Sequence, residues 1–159
     1  MTDPYIRFRP NVAAILRRAD GKILICERID VPGAWQFPQG GVYPNETDED
    51  AVVREIAEEI SVPPELYRIA DKKGPYRYVL GNGRTKRGYH GQQQQYFLVE
   101  FTGTDSDVDV ATEHQEFSQT RWIAPEEFDM MWLPEMKRDV YEAVIHDFFG
   151  VRPKNAIRD

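Results

Sequence analysis

The sequence predicts an α/β (α+β) fold, a sandwich of helices around a mixed sheet. Three observations carry that expectation: short apolar runs bounded by turn residues, an amphipathic segment ending before Pro63-Pro64, and a helical apolar stripe near the C-terminus. With 159 residues the chain fits a single domain, 1–159, large enough to bury its own core. Residues 1–4 and 151–159 are expected as flexible tails.

In chain order, Asn11–Leu16 and Lys22–Glu27 are apolar runs separated by a segment ending in Asp20-Gly21, which reads as a β-hairpin. Trp35-Gln36-Phe37-Pro38 is a short extended piece, because Pro38 fixes its own φ and biases Phe37 towards β geometry. Thr47 suits a helix N-cap, and the helix should run from Asp48 to Ile60. At 100° per residue, Val53, Ile56, Ala57 and Ile60 share one face, and Glu55, Glu58 and Glu59 the opposite one. Gln93–Phe101 is a strand rich in aromatic and β-branched residues, and Gln119–Ile123 a weaker one. Pro125–Phe128 reads as a short helical turn. Pro134–Phe149 is a final helix with the stripe Met136, Val140, Val144, Ile145 and Phe148.

Composition excludes several classes. Hydrophobic residues make up 41% and charged residues 30%, which argues against a wholly disordered chain. No apolar run reaches transmembrane length, and the start lacks a secretory pattern, so no membrane partner and a cytoplasmic location are expected. The single cysteine, Cys26, excludes an internal disulfide and reads as a small buried hydrophobe. The formal charge of −7 argues against an anionic partner, but its distribution is uneven. Glu46–Glu59 holds seven acids against Arg54 alone, whereas Asp71–Gly91 holds Lys72, Lys73, Arg77, Arg84, Lys86 and Arg87 against Asp71. Tyr76, Tyr78 and Tyr89 are interleaved with those cations, and Gly81, Gly83 and Gly88 suggest a mobile loop. Cations for phosphates and aromatics for bases are the ingredients of single-strand RNA recognition.

Glu55, Glu58 and Glu59, at i, i+3 and i+4, gather three carboxylates on one patch of helix. Hard divalent cations such as Mg²⁺ take several oxygen ligands, often carboxylates, and would relieve the repulsion. Three clustered glutamates alone are more often a solvated acidic face. The surroundings change that weighting: Gly40, five residues, Glu46, seven residues, then Arg54-Glu55-Ile56-Ala57-Glu58-Glu59-Ile60-Ser61-Val62.

This segment resembles the Nudix hydrolase signature, G-x5-E-x7-R-E-U-x-E-E-x-G-U with U aliphatic, and departs from it only at Ser61, where the family has glycine. The resemblance implies a Nudix-type α/β/α sandwich with a catalytic loop–helix–loop, holding two to three Mg²⁺ or Mn²⁺ ions. Glu55, Glu58 and Glu59 would be metal ligands, joined by the Gly40 carbonyl. Glu46 and Arg54 would pair to brace the loop within the catalytic set. Such ions polarise a phosphoryl oxygen and activate a bound water, which would break a P–O–P bond.

Phe8-Arg9-Pro10-Asn11, Trp35–Gly41, Gly91–Phe97, Glu116-Phe117 and Lys137–Tyr141 are similar to segments of the bacterial RNA 5′-pyrophosphohydrolases and of the asymmetric diadenosine tetraphosphate hydrolases. By family position Glu116 would complete the metal site or serve as base. Arg9, Arg28, Gln39, Gln95 and Lys137 lie within or beside these segments and are substrate-contact candidates, as are Arg84, Lys86 and Arg87 of the basic segment. The family usually has lysines where Gln93 and Gln95 stand, and those lysines help to hold the polyphosphate; glutamine supplies no charge. The implied activity is removal of pyrophosphate from 5′-triphosphate RNA, the alternative is hydrolysis of a dinucleoside polyphosphate, and neither involves DNA. A third reading, an inactive Nudix-fold binding module, sits poorly with the full set of glutamates.

Overall fold

The computed structural model describes residues 5–157. Its centre is β1 (Phe8–Arg17), whose residues Val12–Leu16 are all buried. Such a continuous apolar run belongs to a strand covered on both faces. β1 pairs in parallel with β6 (Gly91–Phe101) from Phe8↔Gly91 to Arg17↔Glu100. β6 pairs antiparallel with β5 (Tyr67–Val79), which forms one edge of the sheet.

On the other side, β2 (Ile23–Arg28) meets β1 only at Arg17↔Ile23. The expected hairpin is therefore confined to its turn. Beyond it β2 turns to β7 (Phe117–Ile123) and β3 (Trp35–Gln36). The edge of β1 so released is taken by the Pro38 carbonyl, which accepts from Ala14 N at 2.9 Å, and by β4 (Gln39–Gly41), paired to Asn11–Ala13. This insertion brings Gly40 to the middle of the sheet, where the site lies.

Helix α1 (Asp48–Ile60) covers one face, and Thr47 Oγ1 caps it by accepting from Asp50 N at 3.0 Å. Its buried face differs from the expected one. Ala51, Val52, Ile56 and Ile60 pack against Val12, Ala14, Leu16, Phe97 and Val99, while Ala57 is exposed and Val53 half-buried. The rotation carries Glu59 into the buried face, at 5% exposure, rather than opposite it. Helix α2 (Glu135–Phe149) covers the other face with Val140, Tyr141, Val144 and Ile145. Tyr141 stacks on Phe37 with ring centroids 5.1 Å apart, and its hydroxyl accepts from Phe37 N at 3.2 Å. The result is an α/β/α sandwich with a mixed sheet.

Two expectations are corrected. Asp71–Val79 is not loop but the second half of β5, an edge strand whose exposed polar residues conceal its period. Of the expected tail, residues 1–4 and 158–159 lie outside the described residues. Its first part is held: Lys154 N donates to Phe128 O at 2.7 Å, and Asn155 Nδ2 to Asp129 Oδ1 at 2.8 Å.

Ser61, the residue departing from the family signature, ends α1 with φ 62° and ψ 24°. Its N–H donates to Ala57 O at 3.1 Å and its Oγ to Asp109 O at 2.8 Å. Left-handed geometry costs a non-glycine residue about 1–2 kcal/mol, and a net hydrogen bond returns about 1 kcal/mol. The serine thus offsets most of what glycine would avoid. Denaturant unfolding should find Ser61→Ala about 1 kcal/mol less stable than the parent, because it keeps the strain and loses the bond. Ser61→Gly should lie within about 0.5 kcal/mol of the parent.

Candidate active site

The site begins with the loop joining β4 to α1. Arg54, on the second turn of α1, reaches back across this loop. Its Nε and Nη2 donate to the two oxygens of Glu46 at 2.7 and 2.8 Å, and Nη2 also donates to Gly41 O at 2.8 Å. Glu46 Oε1 in turn accepts from Tyr43 N at 3.0 Å, and the Tyr43 ring stacks on the guanidinium at 3.9 Å. The bidentate arginine holds the Glu46 carboxyl down to about 2. The brace expected from the signature is present, yet neither Glu46 nor Arg54 lines the cleft; both stand behind it.

The cleft has a volume of about 1150 Å³. Among its lining are Glu55, Glu58 and Glu59 of α1, Gly40 of β4, and Glu116 from the loop before β7. Glu59 is buried, and its carboxylate accepts from Gln39 N at 3.0 Å. Burial, then the neighbouring Glu55 and Glu116, hold its carboxyl well above the usual range. Glu55 lies directly against Gly40, where a Cβ would overlap its carboxylate, so only glycine lets backbone and carboxylate approach this closely.

The donor set suits a hard divalent cation: carboxylate oxygens from two elements, a backbone carbonyl beside them, and a buried acid that a cation would favour in its ionised form. Among the described residues, however, no three acids are already arranged to hold a metal. Arg54 Nη1 takes up Glu55 Oε1 at 2.6 Å and Glu58 Oε2 at 3.3 Å. Rotation of those two side chains off the arginine would present them to an ion.

The same cleft also carries cations. Arg9, Arg28, Lys86 and Lys137 line it, with Arg84 and Arg87 from the loop after β5. Gly41 leaves the space that the Arg9 guanidinium fills. Arg28 is held side-on by Asp30, Nε to Oδ1 at 3.0 Å and Nη2 to Oδ2 at 2.7 Å. Lys137 is buried below the Tyr78 ring, and burial, then Arg28 and Lys86, push its ammonium down to about 8.

The basic segment thus divides. Lys72 pairs with Glu49 and Asp48 at 3.1 and 3.3 Å, Lys73 with Asp71 at 3.6 Å, and Arg77 donates to Gln93 Oε1 at 2.7 Å. Only its last three cations reach the cleft.

Gln95, expected to touch substrate, does not line the cleft; its side chain lies over Gly74 of β5. Strand alternation explains this, because Gln93 and Gln95 project from the face opposite Gln92 and Gln94. Gln39 does line the cleft, but its Oε1 accepts from Gln94 Nε2 at 2.9 Å, which ties it to the scaffold. Tyr78, one of the aromatics of the basic segment, lines the cleft; Gln92, Thr112 and His114 also line it and were not expected there. The period-2 pattern of β6 could have singled out Gln92; nothing local marks the others.

Residues 7–148 match the NUDIX domain model. The chain is 40% identical to an RNA pyrophosphohydrolase of Erythrobacter litoralis, covering 90% of this chain and 92% of that protein. It is 41% identical to one of Roseobacter denitrificans, covering 89% and 91%. The fold is shared with a MutT protein of Methanosarcina mazei (TM-score 0.63, 20% identity, 91% and 98% covered). It is also shared with a C. elegans Ap4A hydrolase in a binary complex (TM-score 0.57, 22% identity, 74% and 81% covered).

Replacing Gly40 by alanine should push the Glu55 carboxylate from its place. Calorimetric titration should find Mn²⁺ bound roughly 10–100-fold more weakly by Gly40→Ala, with the metal-free circular dichroism spectrum unchanged.

Proposed function

Since the chain belongs to the NUDIX domain family, we propose that it is a metal-dependent RNA 5′-pyrophosphohydrolase, removing pyrophosphate from 5′-triphosphate RNA ends. The observation that carries this reading is a single cleft lined both by carboxylates, Glu55, Glu58, Glu59 and Glu116, and by cations, Arg9, Arg28, Lys86 and Lys137. A polyphosphate lying in it would meet both cations of the protein and metal held by the carboxylates. The names of the relatives, at 40–41% identity, support RNA as the substrate.

In this reading Glu55, Glu58, Glu59, Glu116 and the Gly40 carbonyl would hold two to three Mg²⁺ or Mn²⁺ ions. Bound there, such ions would polarise the phosphoryl oxygen and lower the pKa of a coordinated water. The protein's own part is positional and electrostatic. The Glu46–Arg54 pair fixes the loop that presents Gly40. Gln39 N anchors the Glu59 carboxylate, so this acid cannot swing away when the site fills. A carboxylate of the same cluster takes the proton from the attacking water. Arg9, Arg28 and Lys137 neutralise the anionic leaving group and set the chain of phosphates along the cleft. Arg84, Lys86 and Arg87 extend this cationic wall towards the emerging RNA. The reading sets the protein in the cytoplasm, where its free, buried Cys26 needs no oxidising partner.

Competing kinetics on 5′-triphosphorylated RNA and diadenosine tetraphosphate test the substrate. RNA should be preferred in kcat/KM; a dinucleotide preference of about a hundredfold (about 2.7 kcal/mol) overturns the RNA assignment. Glu58→Gln should retain the fold and lose most turnover, and an active variant removes the metal-site assignment.

Lys137 gives a pH dependence of defined sign. Its folded pKa of about 8 lies below the ordinary lysine value, so in the free protein it loses its charge as pH rises through about 8. KM for the anionic substrate should therefore climb above that pH. In Lys137→Arg, where the charge persists, the climb should flatten.

A further inference from the structure

We infer that Gln92 reads the nucleoside portion of the substrate, its side-chain oxygen accepting a hydrogen bond from an O–H or N–H group of a nucleotide next to the polyphosphate. This rests on the function proposed above and assigns specificity within the same cleft.

Gln92 stands on β6 directly opposite Tyr78 of β5, in the cleft wall. Its Oε1 is buried and accepts no hydrogen bond among the described residues. Buried acceptors are almost always paired, and one left open costs its desolvation. Because the atom is buried while its residue lines the cleft, a small turn of the side chain would bring this orphan to whatever fills the cleft. Gln94, two residues along the same face, is the internal contrast. Its Nε2 donates to Asn11 Oδ1 and Gln39 Oε1, both at 2.9 Å, and its Oε1 accepts from Tyr96 OH at 3.1 Å. One amide is spent on the scaffold; the other is open.

The neighbours select the class of donor. Arg9 and Lys86 flank Gln92 and supply what phosphate oxygens need. A fully ionised phosphate chain offers only acceptors and cannot satisfy Oε1. The donors on a 5′-phosphorylated ribonucleotide are the ribose hydroxyls and the base N–H groups. A site that hydrogen-bonds a substrate O–H or N–H discriminates against analogues lacking it, because its own polar group is then left unpaired.

The test is Gln92→Met, which keeps length and removes the amide. Melting temperature should hold or rise, since no internal bond to Oε1 is lost; a fall of several degrees makes the residue structural and overturns the inference. For triphosphorylated RNA, kcat/KM should fall about tenfold, chiefly through KM. Competitive inhibition by inorganic tripolyphosphate, which has no nucleoside, should change less than twofold. An equal effect on both assigns Gln92 to the phosphates and overturns the inference. Substrates with a 2′-deoxy first or second nucleotide, or with purine riboside in place of adenosine, separate the two donor sources. The one carrying the contact should weaken the parent about tenfold and leave Gln92→Met unaffected. If neither the amide nor any of these groups matters while the parent cleaves RNA, only this inference fails. If the parent does not cleave RNA, the functional reading fails and takes this one with it.

Discussion

Arg54 bears on nearly every feature of the site. One guanidinium binds the loop acid Glu46 through two donors, the Gly41 carbonyl through a third contact, and the helix acids Glu55 and Glu58 through Nη1. Loop and helix therefore share a single charge. The pair is mostly buried, with 17% of the Arg54 side chain and 13% of the Glu46 side chain exposed. Removing one partner from such a pair strands the other, a loss of about 3–5 kcal/mol in comparable buried pairs. The arrangement also explains how helix α1 tolerates so many acids. Asp48, Glu49 and Asp50 occupy the first turn, where the helix dipole favours negative charge. Asp48 and Glu49 meet Lys72 of β5, and Glu55 and Glu58 meet Arg54. Glu59 alone among the three signature acids has no cation and is buried.

Under the proposed function the same arginine would give the site two states. With Nη1 on Glu55 and Glu58, the ligand oxygens are compensated internally. A divalent cation offers a stronger partner to these oxygens, and Arg54 still keeps its grip on Glu46 and Gly41. The loop need not move when the helix acids do. Much of the acidity that gives the chain its −7 is thus covered in different ways: by Lys72, by Arg54, and by the metal that the proposed function requires. Net charge alone misleads here because the cations of the cleft are assembled from β1, the end of β2, the loop after β5 and α2, each contributing one or a few residues.

Legibility in the sequence followed the locality of the physics. The bounds of α1 were readable because Thr47 and the prolines after Val62 act within a turn of the ends they set. The Glu46–Arg54 brace came with the resemblance to the Nudix signature, and the structure forms it. The orientation of α1 was harder: Glu59 joins the buried face because the helix leans on the β1–β6 centre, a contact between distant segments. The hairpin was over-read because the Asp20-Gly21 turn is local, whereas the insertion of Trp35–Gly41 along β1 is a tertiary event. β5 was missed for a different reason. As an edge strand with most residues exposed, it carries lysines and tyrosines where a central strand would alternate apolar and polar.

The glutamines of β6 show how one strand can settle a question of charge. Neutral residues at 93 and 95 looked like a deficit in phosphate affinity. Pairing with β1 and β5 fixes the parity of the strand, and that parity turns 93 and 95 away from the cleft while Gln92 lines it. Gln93 instead receives Arg77, and Gln95 lies over Gly74. The cations that face the cleft come from Arg9, Arg28, Lys86 and Lys137, and the polar group that β6 contributes is an amide without charge. The strand is thereby freed from holding phosphate, which is the condition under which an uncharged side chain can serve to recognise the nucleoside.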